Sequence, residues 1–145
     1  MVRVYIPDSL RWEPFLIEGE HLTFTEIANR RLRVRQCSHR GPCIYKWSGT
    51  LAAGPCAGRL ALHIGQTEDL VRRIRNYLHG TQRCGNQRWR DEFLKLGDIR
   101  LYVAAGLNCD LACEETRRAV EEWALKLESG LDGRWIVNRQ NAGRN

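Results

Sequence analysis

Arginine is the residue type whose placement speaks first to chemistry. Five arginines lie between positions 30 and 40 and six between 72 and 90, together 11 of the chain's 23 lysines and arginines. A guanidinium presents a planar fork of donors that matches phosphate oxygens. Clusters of this kind suit the tracking of a nucleic-acid backbone, with binding that weakens steeply as salt rises; they serve equally as solvated surface charge. Trp89, between Arg88 and Arg90, either stacks on a base or joins the core. The other reactive set is six cysteines: Cys37, Cys43, Cys56, Cys84, Cys109 and Cys113. Cys37-x5-Cys43 and Cys109-x3-Cys113, with His39 or His79 as substitutes, are similar to zinc-ligand pairs. Neither has the tight Cys-x-x-Cys spacing of strong zinc motifs, and buried thiols are the plainer account.

Lysine plus arginine number 23 against 17 aspartates plus glutamates, which leaves +6 on 145 residues and a pI near 9.3. That excess favours a polyanionic partner, nucleic acid ahead of a membrane surface. Hydrophobic residues at 43% and five tryptophans provide for a packed core, so the chain is not a disordered basic tail. No window approaches 18 consecutive apolar residues, and Met1 to Asp8 holds no apolar h-region or small-residue cleavage site. The expectation is a soluble, cytoplasmic chain with reduced thiols and one domain's worth of core.

The elements that must position these residues follow from periodicity. A strand is predicted over Val2–Ile6, and a small helix near Glu26 capped by Thr23 or Thr25. Leu32 and Val34 alternate with arginines, which predicts a half-exposed strand with a cationic outer face. Cys43–Trp47 is rich in β-formers, and Leu60–Ile64 alternates with period two, so the two form a hairpin across the Gly/Pro-punctuated segment between them. Thr67 followed by Glu68 and Asp69 predicts a helix start, and Leu70, Ile74 and Tyr77 form its apolar stripe up to His79-Gly80. A second helix is predicted over Gln87–Leu96, a strand over Ile99–Ala105, and a long helix over Leu111–Ser129 closed by Gly130.

Cys43-Ile44-Tyr45 on the first hairpin strand, His63-Ile64-Gly65 on the second, and Arg73 ten residues after His63 form an ordered set. Through it the sequence resembles the GIY-YIG nuclease family, with these triplets standing where the family has Gly-Ile-Tyr and Tyr-Ile-Gly. Arg117–Leu125 is similar to the family's late helix and Ile136-Val137-Asn138 to its closing asparagine, so the resemblance covers about residues 41 to 141. It implies a phosphodiester hydrolase in which one divalent cation, Mg²⁺ or Mn²⁺, is held by a late-helix glutamate. Glu121 is the leading candidate, ahead of Glu128 and Glu122; Glu121 and Glu128 share a helix face. By the same resemblance Arg73 holds the scissile phosphate, Tyr45 and His63 position or deprotonate the attacking water, and Asn138 orders the metal or phosphate shell, or Asn141 if Glu128 is the ligand. His63 stands where the family has a tyrosine; an imidazole, with an ordinary pKa of ~6.5 against a phenol's ~10, could act as a base without special tuning. Cys43 replaces the family's first glycine, and the Tyr45-to-His63 separation exceeds the usual one.

The expected fold is α/β: a small, mainly antiparallel sheet of about three strands flanked by helices, with residues 1–40 as a basic extension packed on a nuclease domain over 41–145. The expected function is a one-metal endonuclease acting on DNA. Its backbone contacts would be Arg33, Arg35, Lys46, Arg72, Arg75, Arg83, Arg88 and Arg90. A catalytically inert nucleic-acid-binding module is the rival from another class, and a zinc-stabilised interaction domain the third reading. With one active site per chain, double-strand cleavage would require a dimer, two binding events, or nicking alone.

Overall fold

Side chains at both faces of the strand Cys43–Thr50 are buried from Cys43 to Trp47, which explains a run that is apolar or aromatic at every position but Lys46. A computed structural model describes residues 10–50, 60–79, 98–129 and 134–136. In chain order its elements are β1 (Arg11–Pro14), α1 (Phe24–Ala28), a 3₁₀ turn (Val34–Gln36), β2 (Cys43–Thr50), β3 (Leu60–Thr67), α2 (Leu70–Leu78), β4 (Arg100–Ala105), α3 (Glu114–Ser129) and β5 (Arg134–Ile136). The described strands form one sheet in the order β1-β4-β2-β3-β5. Every pairing is antiparallel except the short parallel contact of β5 with β3. The fold is therefore α/β with a mainly antiparallel sheet, as expected, although two short strands widen it beyond three. β1 lies at the edge, where Pro14 removes no ladder donor from the interior.

The sheet separates two apolar clusters. Tyr45 and Trp47 of β2 pack with Leu70, Ile74 and Tyr77 of α2 and with Phe24 and Ile27 of α1. Ile44, Ile64 and Ala104 on the other face pack with Val120 and Ala124 of α3. Residues 10–40 enter this core directly: Phe15, Ile17, Leu22, Phe24 and Ile27 are buried in it, and β1 is hydrogen-bonded into the sheet.

The hairpin, α2 and β4 lie where periodicity put them. Thr23 caps α1 in a reciprocal box: its hydroxyl accepts from the Glu26 amide at 3.2 Å, and the Glu26 carboxylate accepts from the Thr23 amide at 3.0 Å. That bond to the Thr23 backbone also holds the Glu26 carboxyl below its usual value. At α2 the cap is Asp69, which accepts from the Arg72 amide at 3.2 Å. Thr67, the expected cap, instead ends β3 and accepts from the Asp69 amide at 3.1 Å. The strand expected around Leu32 and Val34 is absent. Leu32 is buried, but Val34 is exposed and begins the 3₁₀ turn, so a single apolar anchor replaces the two a strand needs. α3 starts at Glu114, three residues later than expected, after a turn in which Asp110 accepts from the Ala112 amide at 3.0 Å. Val2–Ile6, Gln87–Leu96 and Gly130 lie outside the described residues. No helix among the described residues is long and apolar enough to cross a membrane.

Candidate functional site

Antiparallel register decides which side chains of the hairpin can meet. Tyr45 pairs with Gly65 and Trp47 with His63, so Tyr45, His63 and the bare backbone of Gly65 share the face covered by α2. A Cβ at position 65 would overlap the Tyr45 hydroxyl and its ring carbon, so the phenol lies across a gap that only glycine leaves. On α2, Arg73 and Tyr77 are one turn apart and project to that same place.

The four side chains form one hydrogen-bonded network. Tyr77 Oη, fully buried, lies 2.9 Å from Tyr45 Oη and 2.9 Å from His63 Nε2. Arg73 Nε donates to Tyr45 Oη at 3.1 Å and Arg73 Nη2 to Tyr77 Oη at 3.5 Å, with the guanidinium carbon 4.8 Å from the centre of the Tyr77 ring. Arginine can only donate. Tyr45 Oη therefore accepts from Arg73, and the phenols are free to relay a proton in either direction, one arrangement running from Tyr45 to Tyr77 and from Tyr77 to an unprotonated His63 Nε2.

Burial pushes the Tyr45 phenol up, with the nearby Arg73 charge pulling the other way, and pushes Tyr77 well above its ordinary value, with Tyr45 adding to the shift. Both phenols are therefore neutral near pH 7. Burial disfavours the Arg73 cation, but the two tyrosyl oxygens outweigh it and its pKa rises. Arg73 is thus a permanent charge whose hydrogen-bond acceptors among the described residues are neutral.

Arg73 also lines a cleft of about 510 Å³ at the sheet's rim, where the end of β3 meets the first turns of α2 and α3. Gln66, Glu68, Asn76, Glu114 and Arg117 contribute to its walls. Both of these acids are already paired: Glu68 takes Arg72 at 2.7 Å and Glu114 takes Arg118 at 3.0 Å. The bond from Arg72 holds the Glu68 carboxyl below its usual value.

No protein-family model, curated protein or solved structure matches the chain. The site must be read from its own atoms.

Of the residues singled out by sequence, Tyr45, His63 and Arg73 converge. Glu121 is half-buried on α3, seven residues beyond Glu114 and therefore on the same helix face, whereas Glu122 is exposed and 3.6 Å from Lys126. Glu128 belongs to α3, but its side chain lies outside the described residues, as do Asn138 and Asn141. Tyr77 was read only as part of an apolar stripe; its position four residues after Arg73 was the available signal. Among the described residues, no group of three or more His, Cys, Asp or Glu is arranged to hold a metal ion. Cys37, Cys43, Cys109 and Cys113 are free thiols. Burial pushes Cys43 up to about 12, and Cys37 donates to the Arg33 carbonyl at 3.3 Å. Cys56 and Cys84 lie outside the described residues.

The basic residues divide. Arg33 and Arg35 are exposed on the loop before β2, and Arg72 and Arg75 are exposed on α2. Arg75 Nη2 donates to the Leu32 carbonyl at 3.1 Å, which ties the loop that carries Arg33 and Arg35 to α2 with its Arg72 and Arg75. Lys46 is buried, with its ammonium 4.5 Å from the centre of the Trp12 ring and 5.6 Å from that of Tyr102, so its charge faces aromatic rings and is not displayed on the surface. Arg83, Arg88, Trp89 and Arg90 lie outside the described residues.

Proposed function

We propose that the chain is a metal-dependent endonuclease of the GIY-YIG type that hydrolyses DNA phosphodiester bonds. The observation that carries this reading is the convergence of Arg73 with the buried Tyr45–Tyr77–His63 chain at the wall of a cleft. An enclosed guanidinium whose acceptors among the described residues are neutral calls for an anionic ligand, and the exposed Arg33, Arg35, Arg72 and Arg75 supply a path for a phosphate backbone.

In this mechanism Arg73 keeps Nε on Tyr45 and turns Nη1, which has no acceptor among the described residues, to a non-bridging oxygen of the scissile phosphate. Water attacks phosphorus as Tyr45 Oη takes its proton; the phenolic proton of Tyr45 passes to Tyr77, and that of Tyr77 to His63 Nε2. The phosphorus–oxygen bond to the leaving group breaks, the departing oxygen takes a proton from solvent, and His63 ends as an imidazolium. The base so described works through two phenols, since His63 is itself buried behind Tyr77. Glu121, half-buried on α3, is the carboxylate that the family resemblance assigns to a hard cation, which takes oxygen ligands. When bound, Mg²⁺ or Mn²⁺ supplies charge relief to the phosphate and the leaving oxygen.

One observation favours the inert DNA-binding module instead. Tyr45 and Tyr77 are 1% and 0% exposed, and their hydroxyls satisfy each other, as structural phenols do. A single assay separates the two readings: purified protein incubated with supercoiled plasmid and Mg²⁺ or Mn²⁺, with and without chelator, beside Tyr45→Phe and Arg73→Ala. Metal-dependent nicking that both substitutions abolish is expected. Binding without cleavage selects the inert module, and cleavage that survives chelation or both substitutions overturns the mechanism.

A further inference from the structure

Arg117, on the first turn of α3, is the second enclosed cation of the cleft. It is 5% exposed yet forms part of the cleft wall. Its Nε donates to Gln66 Oε1 at 2.8 Å, and its Nη1 donates to the carbonyls of Leu111 and Ala112 at 3.0 and 3.1 Å. Those bonds use three of the five guanidinium hydrogens. The two on Nη2 have no acceptor among the described residues, and none of the described ion pairs includes Arg117.

Among the described residues this buried cation is hydrogen-bonded only to an amide and two carbonyls, and the charge of Glu68, itself paired to Arg72, compensates it only in part. Its three bonds fix the fork rigidly, which removes the ordering cost that a free arginine would meet on binding. Gln66 lies on the α3 face of the sheet and Tyr45 on the α2 face, so Arg117 and Arg73 reach the cleft from opposite faces. Glu68 and Glu114, the acids of the cleft wall, are paired to Arg72 and Arg118.

We propose that Arg117 is a second phosphate-binding residue, whose Nη2 contacts a phosphate of the bound strand other than the one held by Arg73. The inference rests on the nuclease reading for the identity of the ligand, and it makes the cleft a two-phosphate site. It deepens that reading in one respect: the strand is gripped at two points, so the scissile bond is placed by its neighbour as well as by Arg73.

The test uses the full chain in EDTA, which stops cleavage, with a short labelled DNA duplex over a range of NaCl concentrations. For Arg117→Met, the slope of log affinity against log salt is expected to fall by about 0.9, the value for one lost phosphate contact. A clamp with no phosphate contact would lower the melting temperature and leave the slope unchanged, which overturns the proposal. Because Arg117→Met removes the tie to the turn before α3 and can fail to fold, the wild-type protein gives a second readout. The Nε–H resonance of Arg117, slowed in exchange by Gln66 and identified by its loss in Arg117→Lys, is followed as duplex is added. Movement together with the Arg73 resonance supports the site; movement of Arg73 alone, or of neither, overturns it. If the wild-type protein neither binds nor cuts DNA, the nuclease reading fails, and pyrophosphate replaces the duplex. A pyrophosphate-dependent shift of Arg117 then retains the anion site, and its absence removes it.

Discussion

The phenol of Tyr45 lies across Gly65, its cross-strand partner, in space that any side chain at that position would occupy. The pair links a glycine of the hairpin to the geometry of Arg73, because the hydroxyl that passes over Gly65 is the acceptor for Arg73 Nε.

Gly65→Ala is expected to displace Tyr45 and destabilise the fold by about 1–3 kcal/mol, the usual range for overpacking a core. Denaturant unfolding measures it. The combination with Tyr45→Ala, which empties the contested space, should be less than additive. Full additivity would show that the two positions do not compete.

Tyr77→Phe removes the hydroxyl that meets Tyr45, His63 and Arg73 at once. Cleavage is expected to fall by about 10²–10⁴-fold, the span associated with general-base catalysis, while DNA affinity in EDTA stays within about twofold, since no phosphate contact is lost. Retention of full cleavage would remove the proton chain from the mechanism.

Glu121→Gln should abolish metal-dependent cleavage, because the family resemblance puts the cation on that carboxylate, and Glu114→Gln, which loses only the acceptor of two hydrogen bonds from Arg118, should leave most of it. Single-turnover assays across a Mg²⁺ series decide between them. The reverse pattern would move the metal ligand two turns toward the start of α3.

Alkaline stability follows from the two raised phenols. A group whose folded pKa lies above its unfolded value stabilises the protein fully below the unfolded pKa, and that stability is lost as pH rises through the folded one. For Tyr45 and Tyr77 the loss therefore begins above the ordinary phenol value of about 10. Absorbance at the phenolate band should show that these two, of the chain's four tyrosines, ionise only on unfolding. Ordinary titration of all four in the folded protein would contradict their burial.

The strongest sequence signals were long-range and apolar. The β2–β3 hairpin and α2 were legible because Cys43–Trp47, Leu60–Ile64 and the Leu70–Ile74–Tyr77 stripe each bury a continuous surface, and from them Tyr45, His63 and Arg73 could be placed together. What escaped was decided by neighbours distant in sequence. Lys46 reads as a cation on an exposed strand face, but Trp12 of β1 and Tyr102 of β4 cover it. β1 itself has four residues and a proline, too few for a period to emerge. Tyr77 was visible as an apolar residue and not as a polar one, because the partners of its hydroxyl come from two other strands. Arg117 sits among exposed charges in sequence, and it is enclosed by the turn at Leu111–Ala112 folding back and by Gln66 of β3.

The loop that carries Arg33, Arg35 and Arg40 holds α2 at two points. The Leu70 amide donates to the Gly41 carbonyl at 3.1 Å at its first turn, and Arg75 holds Leu32 near its last. Helix and loop are thereby splinted together, with Arg73 mounted between the two fastenings and Tyr77 just past the second. Under the proposed function, a strand docking on the loop arginines would press on the same piece that carries Arg73, so grip and alignment would become one mechanical event.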